Sequence, residues 1–159
     1  MIRLCQVDRG NLWKVVKLTV ADGQKDFVAT NTESILEAYV TIAAGCTALP
    51  FAIYADETLV GFVMLGYSTI GEEDEPDIAE GNYCVWRFMI DKDFQGRGYG
   101  RAALLETLCY VRTLPCGEAD YCWLSYEPEN VAAKRLYASV GFVENGETDG
   151  DETVAVLKL

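Results

Sequence analysis

The stretch Trp86-Arg87-Phe88-Met89-Ile90-Asp91-Lys92-Asp93-Phe94-Gln95-Gly96-Arg97-Gly98-Tyr99-Gly100-Arg101 reads as an apolar strand, a glycine-punctuated turn and the opening of a helix. Glycines at every second position let the backbone adopt conformations closed to residues with a Cβ, so consecutive N–H groups can converge on one hollow. Such a hollow binds anions. The helix predicted to follow, from about 101 to 113, brings the positive end of its dipole to the same spot, and Arg97 and Arg101 add full charges. The loop therefore reads as a phosphate cradle; on the glycines alone, a turn with no ligand is the alternative.

Upstream, 2–7 reads as a strand, 11–20 as a helix with Leu12, Val15, Val16 and Thr19 at helical spacing, and 32–44 as a second helix closed by Gly45. Two β-rich runs, 51–55 and 59–68, stand at hairpin spacing. The segment 71–81 carries six acids, Glu72, Glu73, Asp74, Glu75, Asp77 and Glu80, and reads as a solvated loop. The strand 82–91 has almost no polar alternation, as a central strand covered on both faces should. Downstream come a strand over 121–126 and a helix over 130–140 stopped by Gly141. A pair of strands, 142–144 and 153–158, flanks a turn at 145–151. This order predicts a mixed α/β sheet of about seven strands with helices on both faces, in a single domain spanning 1–159.

Composition narrows the chemistry. At 159 residues, half of them apolar, the chain suits one core without a disulfide or metal staple. No run is long enough to span a membrane and the start lacks a signal peptide, so a cytoplasmic protein is expected. The six cysteines form no CxxC pair and read as buried thiols. The absence of histidine removes Ser-His-Asp and Cys-His schemes and the commonest transition-metal ligand, so no metal is expected. A net charge of −12 argues against nucleic acid and favours a cationic small-molecule partner, with solubility alone as the alternative.

A P-loop needs GxxxxGK followed by Ser or Thr, and a dinucleotide fingerprint needs GxGxxG near a first strand; neither fits. Instead Gln95-Gly96-Arg97-Gly98-Tyr99-Gly100 resembles the Q/R-x-x-G-x-G/A motif of the GNAT acetyltransferases. The run Asn130-Val131-Ala132-Ala133-Lys134-Arg135-Leu136-Tyr137-Ala138-Ser139-Val140-Gly141-Phe142 is similar to a second motif of that family, N-x-x-A-x-x-L-Y-x-x-x-G-F. The segments 86–92, 121–130 and 149–159 resemble, more narrowly, bacterial spermine/spermidine N-acetyltransferases. The resemblance implies the GNAT fold and acetyl-CoA as co-substrate. It places the pyrophosphate on the loop formed by Gln95, Gly96, Arg97, Gly98, Tyr99, Gly100 and Arg101, and the pantetheine along Phe88, Met89 and Ile90. It further implies that Asn130 bonds the pantetheine, that Tyr137 holds the sulfur, that Lys134 reaches the ribose or phosphate, and that the protein is a homodimer. A helix cap for Asn130 and a buried, satisfied hydroxyl for Tyr137 are the structural alternatives.

An amine with a lysine-like pKa of ~10.4 is almost wholly protonated at neutral pH, a handicap of about 4 to 5 kcal/mol, so N-acetylation by direct attack needs a proton acceptor. Related enzymes often carry a carboxylate on the strand before the loop, where this chain has Trp86 and Arg87. Glu127 is the expected base, with Ser125 ordering a water and Tyr137 serving the departing thiolate. Glu33, Glu37 and the acids of the 72–80 loop are expected to meet the ammonium groups of a polyamine, and Phe27 and Tyr39 to line its channel. Solvated carboxylates are the alternative for each acid. The competing functions are acetylation of a protein amine or an aminoglycoside-like drug, and non-catalytic acyl-CoA binding.

Overall fold

The computed structural model describes residues 1–69 and 75–159. In chain order the elements are β1 (Ile2–Gln6), α1 (Leu12–Val15), α2 (Asn31–Ala43), β2 (Thr47–Ala55), β3 (Thr58–Tyr67), β4 (Tyr83–Ile90), α3 (Tyr99–Val111), β5 (Tyr121–Tyr126), α4 (Val131–Val140), β6 (Val143–Asp149) and β7 (Glu152–Lys158). Tighter 3-10 turns cover Asp22–Phe27, Asp77–Ala79 and Lys92–Phe94. The strands make one seven-stranded sheet in the order β1-β2-β3-β4-β5-β7-β6. Only β4 and β5 run parallel; every other neighbouring pair is antiparallel, so the sheet is mixed as expected.

The central strands read as continuous apolar runs because both faces are covered. On one face Val63, Leu65, Tyr83, Val85 and Leu124 pack with Ala103, Leu108 and Val111 of α3. On the other Ala52, Phe62, Met64 and Met89 pack with Val15 of α1 and Ala38 of α2. Burying one such side chain contributes roughly 1.5–3 kcal/mol, and adjacent residues of β3 contribute to opposite clusters.

Several element boundaries differ from the sequence expectation. The first helix stops at Val15 rather than near 20, because Thr19 leaves the helical path to join the end of β4. Its N–H donates to Asp91 Oδ2 at 2.9 Å, and its carbonyl accepts from Lys92 N–H at 2.8 Å. Strand β2 begins at Thr47, four residues earlier than 51, because Pro50 is tolerated inside it. β1 pairs only from Phe51 onward, and beyond it the Pro50 carbonyl still accepts from Val7 N–H, so the missing proline donor falls where the neighbouring strand ends. Helix α3 starts at Tyr99 instead of 101, with Gly98 as its N-cap. The terminal hairpin turns over 150–151 rather than 145–151, because a bulge between Glu144 and Thr148 absorbs the polar residues of β6 into the strand.

The expected acidic loop falls partly on 70–74, outside the described residues, and with it the expectation for Glu72, Glu73 and Asp74. Its later part forms the Asp77–Ala79 turn, which seats Ile78 and Ala79 against Cys84 and Trp123. Among the described residues no helix is long and apolar enough to cross a membrane.

Helix α2 opens on a reciprocal cap: Thr30 Oγ1 accepts from Glu33 N–H at 3.2 Å and Glu33 Oε2 accepts from Thr30 N–H at 2.8 Å. Thr30→Ala should therefore lower stability by about 1 kcal/mol. Urea denaturation followed by circular dichroism would read this as a lower midpoint with an unchanged slope.

Candidate active site

Strands β4 and β5 are paired only at Tyr83–Cys122 and Cys84–Trp123. Trp86 bulges from β4, since Leu65 faces Val85 while Met64 faces Arg87. From there the two strands separate, and a cavity of about 790 Å³ opens between them. One wall is β4 from Val85 to Ile90, and the opposite wall comes from Ser125, Tyr126, Glu127 and α4. Every second residue of β4 turns its main-chain groups toward the gap instead of toward β3, so this edge is open to an extended ligand.

The glycine loop closes one end. Gly96 and Gly98 have φ of 73° and 82°, and no neighbouring atom lies within 4 Å of a Cβ at either position. Their requirement is therefore conformational and not one of space. Gly98 caps a helix of 13 residues, whose first-turn N–H groups lack intrahelical acceptors and face the cavity side occupied by Gly98, Gly100 and Arg101. Gln95 holds the loop: its Nε2 donates to Ile90 O at 2.9 Å and to Gln24 Oε1 at 2.8 Å. Arg97 stacks over Phe94, 5.7 Å from the ring centre, outside the cavity lining, and Tyr99 packs against the core.

On the facing wall Asn130 caps α4, its Oδ1 accepting from Ala133 N–H at 3.1 Å. The cap occupies only the oxygen; among the described residues Nδ2 has no protein acceptor, and Asn130 belongs to the cavity lining. Tyr137 lies about two turns further along the helix and also lines the cavity, its ring 5.7 Å from that of Tyr126. Burial raises the pKa of its hydroxyl well above the ordinary tyrosine value, and Glu152, Cys84 and Tyr126 add to the rise. Lys134 turns elsewhere: its Nζ sits 2.7 Å from Glu144 Oε1, and the same oxygen accepts from Tyr126 Oη at 2.7 Å. Lys134 is thus outside the cavity lining, in a network that ties α4 to β5 and β6.

The other half of the cavity is bounded by the segment from Gln24 to Thr30 and by Glu33. Phe27 lines it as expected, while Tyr39 stands on the outer face of α2 beside Leu36 and Val40, away from it. Hydrogen bonds from Thr30 hold the Glu33 carboxyl below its ordinary pKa. Glu37 does not reach the cavity; it grips the Nη2 of Arg87 with both oxygens, at 3.3 and 3.0 Å. Arg87 itself lines the cavity, with its Nε buried and unpartnered. Of the described acids of the 72–80 loop, Asp77, Glu80 and Glu75 all lie outside the lining. Ser125 and Glu127 are both in it, joined by Glu152, which sequence motifs do not single out. Only the β5–β7 and β6–β7 registers bring residue 152 to this place.

The model of the acetyltransferase (GNAT) family matches residues 18–142. A probable spermine N(1)-acetyltransferase of Bacillus subtilis subsp. natto (strain BEST195) is 37% identical over 111 residues, covering 69% of this chain and 70% of that relative. Among solved structures, an aminoglycoside acetyltransferase in complex with coenzyme A and kanamycin superposes with a TM-score of 0.79 at 17% identity, over 99% of this chain and 95% of that one. A spermidine N-acetyltransferase from Vibrio cholerae in complex with CoA and spermine gives 0.66 at 20% identity, over 99% and 94%.

Burial, reinforced by the neighbouring Glu144 carboxylate, pushes the Tyr126 hydroxyl up to about 12 from an ordinary 10.0. The folded state then holds a proton that the unfolded chain has released, so this group's contribution to stability is fully present below about pH 10 and is lost as pH rises toward 12. Tyr126→Phe should flatten this fall, read from urea midpoints measured between about pH 8 and 11.

Proposed function

The chain belongs to the GNAT acetyltransferase family, and on that premise we propose that it acetylates a primary amine of a polyamine such as spermine or spermidine. One observation carries the reading. One cavity has a glycine loop and helix N-terminus at one end and the carboxylates Asp26, Glu33, Glu127 and Glu152 around the rest, with Tyr137 in its wall. The relative named for spermine supports the choice of acceptor, and so does the net charge of −12, which concentrates cations near such a cleft. A cytoplasmic location, one domain over 1–159 and a homodimer complete the proposal.

The residues fit acetyl-CoA. Two glycines in the left-handed region aim N–H groups at an anion, Arg101 supplies charge, and the open edge of β4 at Phe88, Met89 and Ile90 offers main-chain partners to an amide-bearing arm. Asn130 Nδ2 serves the same arm from the facing wall. Acetyl-CoA, when bound, brings an activated acyl group whose thiol leaves with a pKa near ~8.5. A main-chain N–H near Met89 or Ile90 is suited to stabilise negative charge developing on the acyl oxygen. Tyr137, kept neutral by its burial, is a proton or hydrogen-bond donor to the departing sulfur across the whole physiological range. The carboxylates facing the cavity are the groups available to take the amine proton.

Thiol release from acetyl-CoA should depend on added spermine or spermidine. Turnover with other amines and none with these would replace the acceptor, and CoA binding without any turnover would reduce the protein to a binding domain. Tyr137→Phe should lower kcat by a factor of about 10 to 100 while the Kd for CoA stays within about twofold, in line with general-acid contributions of this order. The polyamine KM should rise with ionic strength, because the exposed part of the attraction is screened over a Debye length of ~8 Å at physiological salt.

A further inference from the structure

Four carboxylates line the cavity, Asp26, Glu33, Glu127 and Glu152, and their surroundings are not equivalent; Asp26 stands exposed in the Asp22–Phe27 turn. Glu33 is engaged by Thr30 at the start of α2, accepting from both its N–H and its hydroxyl. Glu127 lies just beyond the end of β5 and, together with Pro128, Glu129, Asp151 and Glu152, also lines a second depression. Glu152 is the one that the sheet itself holds. The hairpin register pairs Asp149 with Glu152, and both carboxyls meet the hydroxyl of Ser125 on β5. Ser125 Oγ lies 2.5 Å from Glu152 Oε2 and 3.0 Å from Asp149 Oδ2. A hydroxyl has one proton to donate, so it satisfies one of these two oxygens and leaves the other needing a donor. The N–H of an incoming ammonium is such a donor.

Glu152 also lines the same cavity as Tyr137. After burial, the Glu152 carboxylate is the largest influence raising the pKa of the Tyr137 hydroxyl. We infer that Glu152, held in place by the Ser125 hydroxyl, is the group that removes the proton from the acceptor ammonium, ahead of Glu127. Ser125 and Asp149 are positioning residues. The inference rests on the cavity being an amine-acetylating site, and it is indifferent to which amine enters.

The balance is as follows. The ammonium passes one proton to the Glu152 carboxylate, and the lone pair so freed forms the C–N bond to the acyl carbon. The C–S bond breaks with its electron pair leaving on sulfur. The nitrogen's second proton passes by way of the Tyr137 hydroxyl to the sulfur, which ends as a thiol, and the proton on Glu152 is released to solvent. The charged and titratable groups that face Glu152 are Asp149 from β6, Asp151 from the turn, Glu127 and Glu129 after β5, Tyr137 from α4, and Cys84 and Arg87 from β4. The acidic majority favours a cation at this point, and Arg87 is already engaged by Glu37.

The test is kcat/KM against pH for the whole protein with spermidine, comparing Glu152→Gln, Glu127→Gln and Ser125→Ala with the unaltered chain. Glu152→Gln should be slower by about 100-fold at neutral pH, with the Kd for CoA unchanged. The deficit should shrink about tenfold per pH unit as the amine approaches its own pKa of ~10.4, because neutral amine then no longer needs a base. Ser125→Ala should show a smaller deficit with the same trend, which also carries the test should Glu152→Gln not fold. Any deficit in Glu127→Gln should stay constant with pH, as expected of a residue that lines the cavity without taking the proton. A Glu152→Gln rate equal to that of the unaltered chain, a deficit that does not change with pH, or the pH-dependent deficit appearing in Glu127→Gln instead would each overturn the inference. If polyamines are not turned over but another amine is, the acceptor proposed above fails and the same comparison is read on that amine. If no amine reacts, both fall together.

Discussion

Two residue pairs, Tyr83–Cys122 and Cys84–Trp123, are all that join β4 to β5 before the sheet divides. Each strand is secured on its other side: β4 pairs with β3 from Tyr83 to Ile90, and β5 with β7 along Tyr121 to Tyr126. The two halves of the sheet can therefore separate without either losing its ladder. The bulge at Trp86 turns β4 at the point where the separation begins. The cavity, the open strand edge and the facing wall of α4 all follow from that division.

The glycine loop works within this frame because its ends are fixed. Asp91, buried at the end of β4, accepts from Thr19 and Asp93 N–H groups, and Gln95 bridges Ile90 and Gln24. The first helical segment, the loop and the central strand are thereby one unit, and the left-handed Gly98 can deliver the start of α3 to the cavity without a flexible hinge. Helix α4 is fixed in the same manner from the other side, through Lys134, Glu144 and Tyr126.

Charge is distributed with similar economy. A chain of net charge −12 places Arg101 at the glycine end of the cavity and neutralises Arg87, the cation in the middle of it, with Glu37 from α2. The carboxylates then dominate the remaining wall. The ion pair is partly exposed, so its worth is specificity of placement more than stability. It keeps a guanidinium from competing with an incoming ammonium for Glu152 and Glu127.

Periodicity and motif spacing alone were enough to order the elements, to locate the glycine loop and to put Asn130 and Tyr137 on one helical face, because these depend on residues close in sequence and on a fixed rise per residue. Turn and strand ends that depend on a distant partner were not legible: the short α1 is set by Asp91, and the early start of β2 by where β1 happens to end. The same division runs through the site. Lys134 shares a helical face with Asn130, yet Glu144 on another strand decides where its ammonium goes. Glu37 has the charge expected of an acceptor ligand and is claimed by Arg87. Glu152 falls within the 149–159 resemblance but belongs to no site motif, since its position beside Ser125 arises from strand register across three elements. Local sequence determined which backbone can cradle an anion; only the tertiary pairing decided which carboxylates face the gap, because a side chain's partners are set by neighbours that the linear chain does not place together.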